Sequence, residues 1–166
     1  MTVVVSIPGR EPLMLIHLVL DVNGTLSDRG VLIDGVFERI ERLGTALDVV
    51  LASADTFGGV DELGVELGVE VVVVAEGADK AALVDRLGAT SVVAIGNGAN
   101  DAPMLERAAL GIAVVGPEGA STRALAASDV VCRSVLEALD LLLDPRRLVA
   151  TLRSWRRRGL ATRLRS

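Results

Sequence analysis

Short apolar runs, each closed by a polar turn and followed by an amphipathic stretch, recur along this chain and leave it few folds to adopt. Residues 15–20, 48–52, 69–74, 91–95 and 111–115 are such runs, rich in Val, Ile and Leu. Their length and continuity suit strands buried on both faces. Between them lie helix-length segments. Val36, Ile40 and Leu43 share one helical face, and 59–67, 78–87 and 101–109 read as further helices. Residues 119–127 and 134–143 also look helical, with 129–132 extended between them. Strands that alternate with helices of this length form βαβ units with right-handed crossovers. The expected fold is therefore α/β, a Rossmann-like three-layer α/β/α sandwich with a mainly parallel sheet. Ahead of it, β-branched residues 2–7 and the turn signal Pro8-Gly9-Arg10-Glu11 predict an N-terminal β-hairpin leading into a strand over 13–20.

The 166 residues suffice for one domain with a full core. We expect a single domain over 1–144 and a basic C-terminal helix or tail over 145–166. No apolar run reaches the ~18 residues that span a bilayer. The N-terminus lacks a basic region followed by an apolar block, so a soluble, cytoplasmic protein is expected. Net charge is −5, but from Arg146 onward there are eight arginines and no acidic residue. Residues 1–145 therefore hold 9 basic against 22 acidic groups, a net −13. Such an acidic body disfavours nucleic acid.

Parallel strands place all their carboxyl ends on one sheet edge, where ligands of open α/β sheets bind. Four of these ends carry polar signals. The first is Asp21-Val22-Asn23-Gly24-Thr25-Leu26, in which Gly24 lets the backbone turn and leaves Asp21 at the strand end. The second, Ser53-Ala54-Asp55-Thr56, brings a hydroxyl and a carboxylate. Lys80 begins the helix after the third strand, and Gly96-Asn97-Gly98-Ala99-Asn100-Asp101 forms the fourth. Oxygen-only donors in an open arrangement suit Mg²⁺. A hydroxyl and an ammonium suit phosphoryl oxygens, whose charge must be stabilised during transfer.

In order and spacing these loops resemble the haloacid dehalogenase superfamily, and within it the phosphorylation domain of P-type ATPases. Asp21 to Leu26 resembles Asp-x-Asp-Gly-Thr or the ATPase Asp-Lys-Thr-Gly-Thr. Ser53-Ala54-Asp55 is similar to the ATPase Thr-Gly-Asp loop, and Lys80 matches the phosphate-binding lysine. Gly96 to Pro103 is similar to Gly-Asp-Gly-x-Asn-Asp-Ala-Pro, and Leu110 to Val114 extends the match. The resemblance covers roughly residues 15–143. It implies that Asp21 is a nucleophile forming an aspartyl-phosphate, while Ser53, Ala54, Lys80 and Asn100 bind phosphate. It also implies a Mg²⁺ held by Asp21, the Asn23 carbonyl, Asn97 and Asp101. Asn100 and Asp101 would further anchor the fourth loop.

Two positions depart from the family pattern. Hydrolytic members carry an acid/base aspartate where this chain has Asn23, and an amide shuttles no protons. Members usually have a metal-ligating carboxylate where this chain has Asn97. The implied activity is thus a slow Mg²⁺-dependent phosphohydrolase or phosphotransferase. Its alternative is a catalytically weak or inactive binding or regulatory protein on the same fold. Only 31 residues separate Asp21 from Ser53 and 26 separate Ser53 from Lys80. Those intervals leave no room for a cap or a nucleotide-binding domain, so a capless protein is expected and ATP hydrolysis is not. The implied partner is a phosphorylated small molecule or a bulky phosphorylated substrate, with a homo-oligomer as a further expectation.

The remaining residues read more plainly. His17 is expected as a satisfied buried histidine, and Asp28 and Asp34 as solvated loop carboxylates. Asp55 is left between orienting the site and capping the helix that starts near Gly59. Gly58-Gly59 reads as a helix entry. Cys132 reads as a small buried hydrophobe. Lys80 is the only lysine in a chain otherwise using arginine; a compact ammonium suits a single phosphate oxygen. The tail is helix-compatible to about Arg158, with Gly159 stopping it. Its cluster Trp155-Arg156-Arg157-Arg158 fits a solvated terminus, docking on a neighbour's acidic body, or an anionic partner.

Overall fold

The computed structural model describes residues 1–55 and 58–154. Strands β1 (Val3–Val5) and β2 (Leu13–Leu15) form the expected antiparallel hairpin, with Val4 opposite Met14. The central sheet is built from β3 (His17–Asp21), β6 (Asp48–Ser53), β7 (Glu70–Val73), β8 (Val92–Gly96), β9 (Leu110–Val114) and β10 (Val130–Cys132). All six run parallel in the order β10-β9-β8-β3-β6-β7. A short hairpin of β4 (Ser27–Asp28) and β5 (Val31–Leu32) follows β3 directly.

Among the described residues the α-helices are α1 (Val36–Leu43), α2 (Val60–Leu67), α3 (Gly77–Leu87), α4 (Ala102–Arg107), α5 (Thr122–Ala127), α6 (Val135–Leu143) and α7 (Arg146–Leu152). The period of two along each strand sorts the core into two layers. Leu18, Leu20, Val49, Leu51, Val93, Ile95, Leu110 and Ile112 face the side of α1, α2, α6 and α7. Val19, Val50, Ala52, Val92, Ala94 and Ala113 face α3, α4 and α5. The small residues on that second side let helices approach closely. At Gly111 a side-chain carbon would overlap the Leu105 backbone of α4.

The expected strand over 13–20 is two strands. Ile16 interrupts it, with its amide donating to the Ser91 carbonyl and its carbonyl accepting from Asp48, and this hands the chain from the hairpin to the central sheet. His17 is consequently the first residue of β3, not its middle. It is half-buried, its Nδ1 lies 3.7 Å from Asp48 Oδ2, and Nδ1 has no hydrogen-bond partner among the described residues. The expectation of a satisfied histidine is corrected accordingly.

Helices α2, α4, α5 and α6 begin one to three residues later than the periodicity predicts. Residues 99–101 form a 3₁₀ turn ahead of α4. The helix expected from 119 starts at Thr122, because Gly119 adopts φ +78° and Ser121 Oγ then caps by accepting from the Arg123 amide. At the C-terminus α7 buries Leu148 and Leu152 in the main core. The helix expected to run to Arg158 ends at Leu152, and Ser154 sits at φ +65°, outside helical space. Trp155, Arg156, Arg157, Arg158 and Gly159, like Thr56 of the second loop, lie outside the described residues. Cys132 is buried as expected, and burial, reinforced by Glu137, pushes its thiol up to about 11. No helix among the described residues is long and apolar enough to cross a membrane.

Candidate functional site

β3 ends at Asp21, opposite Ala52 of β6, so Asp21 and Ser53 stand at adjacent carboxyl ends. Along β3, Val19 faces the α3 side, and the period of two sends the Asp21 side chain the same way. On α3 the buried residues are Lys80, Leu83 and Val84, one helical stripe with the lysine at its site end. The two elements therefore deliver opposite charges to one point. Lys80 Nζ donates to Asp21 Oδ1 and to Asp101 Oδ1, each at 2.7 Å. All three side chains are nearly inaccessible.

Asp101 also holds the fourth loop closed, since its Oδ2 accepts from the backbone amides of Asn97 (3.0 Å) and Gly98 (2.9 Å). Both Asp101 oxygens are thereby engaged. Thr25, wholly buried, places its hydroxyl 2.9 Å from Asp21 Oδ2 and 3.2 Å from Asn97 Oδ1. Asn97 Nδ2 donates to the Gly119 carbonyl at 3.1 Å, which fixes the amide with its oxygen toward the Thr25 hydroxyl.

Burial raises the Asp21 carboxyl above its ordinary range, and the negative Asp101 adds to this. Lys80 and the Thr25 hydroxyl oppose, and the balance leaves Asp21 pushed up to about 6. Burial works against the Lys80 ammonium, but the two carboxylates outweigh it and hold its pKa above that of a free lysine.

The other expected residues are placed as follows. Ser53 is buried at the end of β6, and its Oγ accepts from the Asp55 amide at 3.0 Å while keeping its own proton to donate. Ala54 lies exposed beside it. Asp55 Oδ1 accepts from the Val60 amide at 3.2 Å, so it caps the start of α2, one of the two readings left open above. Asn23 is half-buried in the Asp21 turn and bridges to Ser27. The Asn100 side chain is exposed, and its backbone packs tightly against Gly77 at the start of α3. Asp21, Thr25, Lys80, Asn97 and Asp101 are thus joined in one hydrogen-bonded network, with Ser53 and Asn23 at adjoining strand and turn positions.

To the four loops expected on this edge the structure adds a fifth, 115–120. It follows β9, and its carbonyl at Gly119 anchors Asn97. A side-chain carbon at Gly116 would overlap the Gly24 carbonyl, and one at Gly24 would overlap the Glu118 carboxylate. The signal was the same strand-then-turn pattern, in Gly116-Pro117-Glu118-Gly119 after an apolar run.

The oxygen atoms gathered with Asp21 are its own carboxylate, the Thr25 hydroxyl and the Asn97 amide oxygen, with the Asp101 carboxylate on the far side of Lys80. Among the described residues no three His, Cys, Asp or Glu side chains form a metal cage. An oxygen-lined site with Asp21 as the more accessible of its two carboxylates fits Mg²⁺, which is bound through one or two carboxylates together with waters and substrate phosphate.

Residues 70–138 match the haloacid dehalogenase-like hydrolase family. An uncharacterized protein of Methanocaldococcus jannaschii is 50% identical over 62 residues, 37% of this chain and 67% of that protein. The fold is similar to 3-deoxy-D-manno-octulosonate 8-phosphate phosphatase from Moraxella catarrhalis, solved with magnesium and phosphate ions. That match has a TM-score of 0.62 and 20% identity, and covers 83% of this chain and 91% of that one. The cobalt-bound phosphatase from Haemophilus influenzae gives a TM-score of 0.63 at 17% identity over 82% of this chain and 91% of that one. A zinc-transporting PIB-type ATPase in its E2.Pi state matches with a TM-score of 0.61 and 26% identity, over 73% of this chain but only 20% of the ATPase.

Proposed function

This chain belongs to the haloacid dehalogenase-like hydrolases, and we propose that it is a Mg²⁺-dependent phosphotransferase or phosphohydrolase acting through Asp21. The observation that carries this is the Asp21 carboxylate at the strand end, clasped by Lys80 and Thr25. Asp21 attacks phosphorus, the bond to the leaving oxygen breaks, and an aspartyl-phosphate results. Lys80 and Ser53 hold the phosphoryl oxygens, joined by the Ala54 backbone and Asn100. Asp101 is a positioning residue here, because its oxygens already hold Lys80 and the 97–98 amides. The metal is assigned to Asp21, the Asn23 carbonyl and Asn97, and when bound it neutralises charge on the transferring phosphoryl group.

Turnover is slow in this reading. Release of phosphate needs a base to take a proton from the attacking water, and Asn23 accepts none. The substrate is a phosphorylated small molecule or a bulky phosphorylated partner in the cytoplasm, met directly at an open edge. Among the described residues the intervals before Ser53 and before Lys80 hold only the β4–β5 hairpin, α1, β6, α2 and β7. None of these elements is free to grip a nucleotide base, so ATP hydrolysis is not proposed. A second copy covering the open edge fits the same reading.

Beryllium fluoride with Mg²⁺ tests the proposal. The expected result is an adduct on Asp21, with metal-dependent release of phosphate from phosphorylated metabolites above an Asp21→Asn blank. No adduct at saturation and no activity above that blank would sink it.

A second reading is favoured by Asn23 and Asn97 themselves. With two amides where hydrolytic relatives carry carboxylates, the site fits a binding or regulatory protein that has shed catalysis. Asn23→Asp with Asn97→Asp separates the two. Activity appearing only in the double variant supports the binding protein, and activity already present in the natural chain rejects it.

A further inference from the structure

We infer that Glu118 is a further cation ligand of the Asp21 site, supplying from the fifth loop the negative charge that Asn97 does not. This rests on the reading of Asp21 and its metal given above. Three observations on the loop carry it.

The first is the fit between the loops. Gly24 and Gly116 meet backbone to backbone, and either would clash on gaining a side chain. The Glu118 carboxylate occupies the space that a side chain at Gly24 would fill. The same point lies 3.1 Å from Asn97 Nδ2. Glu118, Asn97 and the Asp21 turn therefore crowd around one glycine.

The second is the lack of any other role for the carboxylate. Among the described residues Glu118 makes no hydrogen bond or ion pair, while it lies against a turn that already carries Asp21. Two carboxylates with no cation between them repel, and a divalent ion removes that repulsion. An unpartnered surface glutamate gains nothing from lying on a neighbouring backbone; a cation ligand does.

The third is the orientation of Asn97. Its amide nitrogen is fixed on the Gly119 carbonyl, next to Glu118 in the chain, and its oxygen accepts from the Thr25 hydroxyl that also reaches Asp21. The loop that aims the neutral donor is thus the loop that carries the charged one. With Lys80 balancing one of the two acids it touches, Asp21 and Asp101, the site holds one net negative charge. Glu118 makes it two, the usual upper complement for Mg²⁺ in such sites.

The test is Mn²⁺ binding to the metal-free, phosphate-free protein, read by calorimetry and by the loss of the free-ion electron paramagnetic resonance signal. Glu118→Gln is expected to weaken Mn²⁺ by about tenfold or more, the scale of losing a tuning ligand. Its thermal unfolding should stay unchanged, since the side chain is exposed and bonds nothing. Adding Asn97→Asp to Glu118→Gln is expected to recover the lost affinity, because it restores the charge from the other side. Equal Mn²⁺ affinity for the natural chain and Glu118→Gln, with Asp21→Asn losing it, would overturn the role of Glu118 and leave the Asp21 site standing. Equal affinity for the natural chain, Glu118→Gln and Asp21→Asn would overturn both.

Discussion

Lys80 Nζ lies 2.7 Å from Asp21 Oδ1, although 59 positions separate the two in the chain. The same ammonium lies 2.7 Å from Asp101 Oδ1, so one buried cation faces two buried carboxylates. Removing one partner of a buried ion pair leaves an uncompensated charge and costs about 3–5 kcal/mol. Lys80→Ala is therefore expected to lose stability on that scale in urea unfolding. Lys80→Arg should recover little, because a planar fork does not fit a site built for one compact ammonium. A stability loss below about 1 kcal/mol for Lys80→Ala would contradict this.

The Asp21 carboxyl, pushed from its ordinary 3.8 to about 6, makes stability depend on pH. Between these values the folded protein holds a proton that the unfolded chain has released. Stability then falls as pH rises through that window, and levels off above about 6. The full effect is on the order of 3 kcal/mol. In metal-free protein, urea midpoints at successive pH values should show this fall, and Asp21→Asn should remove it. Parallel profiles for the two proteins would refute the assignment.

Gly96 ends β8 directly beneath Asp101. A methyl there would sit 2.6 Å from Asp101 Cγ and Oδ2, and Asp101 is wholly buried and cannot yield. Gly96→Ala should cost about 1–3 kcal/mol by overpacking. It should also free the Asn97 and Gly98 amides, read as faster hydrogen exchange at both. Protection unchanged at those amides would show that Asp101 does not hold the loop.

Asn23 sets the speed of dephosphorylation in the proposed reaction. Asn23→Asp adds a group able to take a proton, and such general catalysis contributes roughly a hundredfold or more. Steady-state phosphate release is expected to rise accordingly, with a shorter-lived phosphoenzyme. A variant with the same phosphoenzyme lifetime would place the slow step elsewhere.

The local pattern carried much of this structure. Apolar runs of period two and helices of period 3.6 depend on near neighbours in sequence, so the parallel α/β sandwich and its hairpin were legible in advance. Asp21, Ser53, Lys80 and Asn97 were legible for a related reason: a parallel sheet forces successive strand ends onto one edge. Boundaries were less so. Ile16 breaks a strand because Ser91 and Asp48 bond its backbone, and neither is near it in sequence. The capping role of Asp55 likewise needed the Val60 amide to be seen beside it.

By itself, then, the sequence determined the alternation of strands and helices, on which edge the polar turns gather, and that amides, Asn23 and Asn97, stand in the first and fourth of those turns. Tertiary structure alone decided how those groups are used. It set Lys80 between two acids, turned Asp101 inward onto the 97–98 backbone, and brought Glu118 against Gly24. Periodicity is a property of neighbours along the chain, whereas charge pairing and close backbone approach depend on distances that only packing defines.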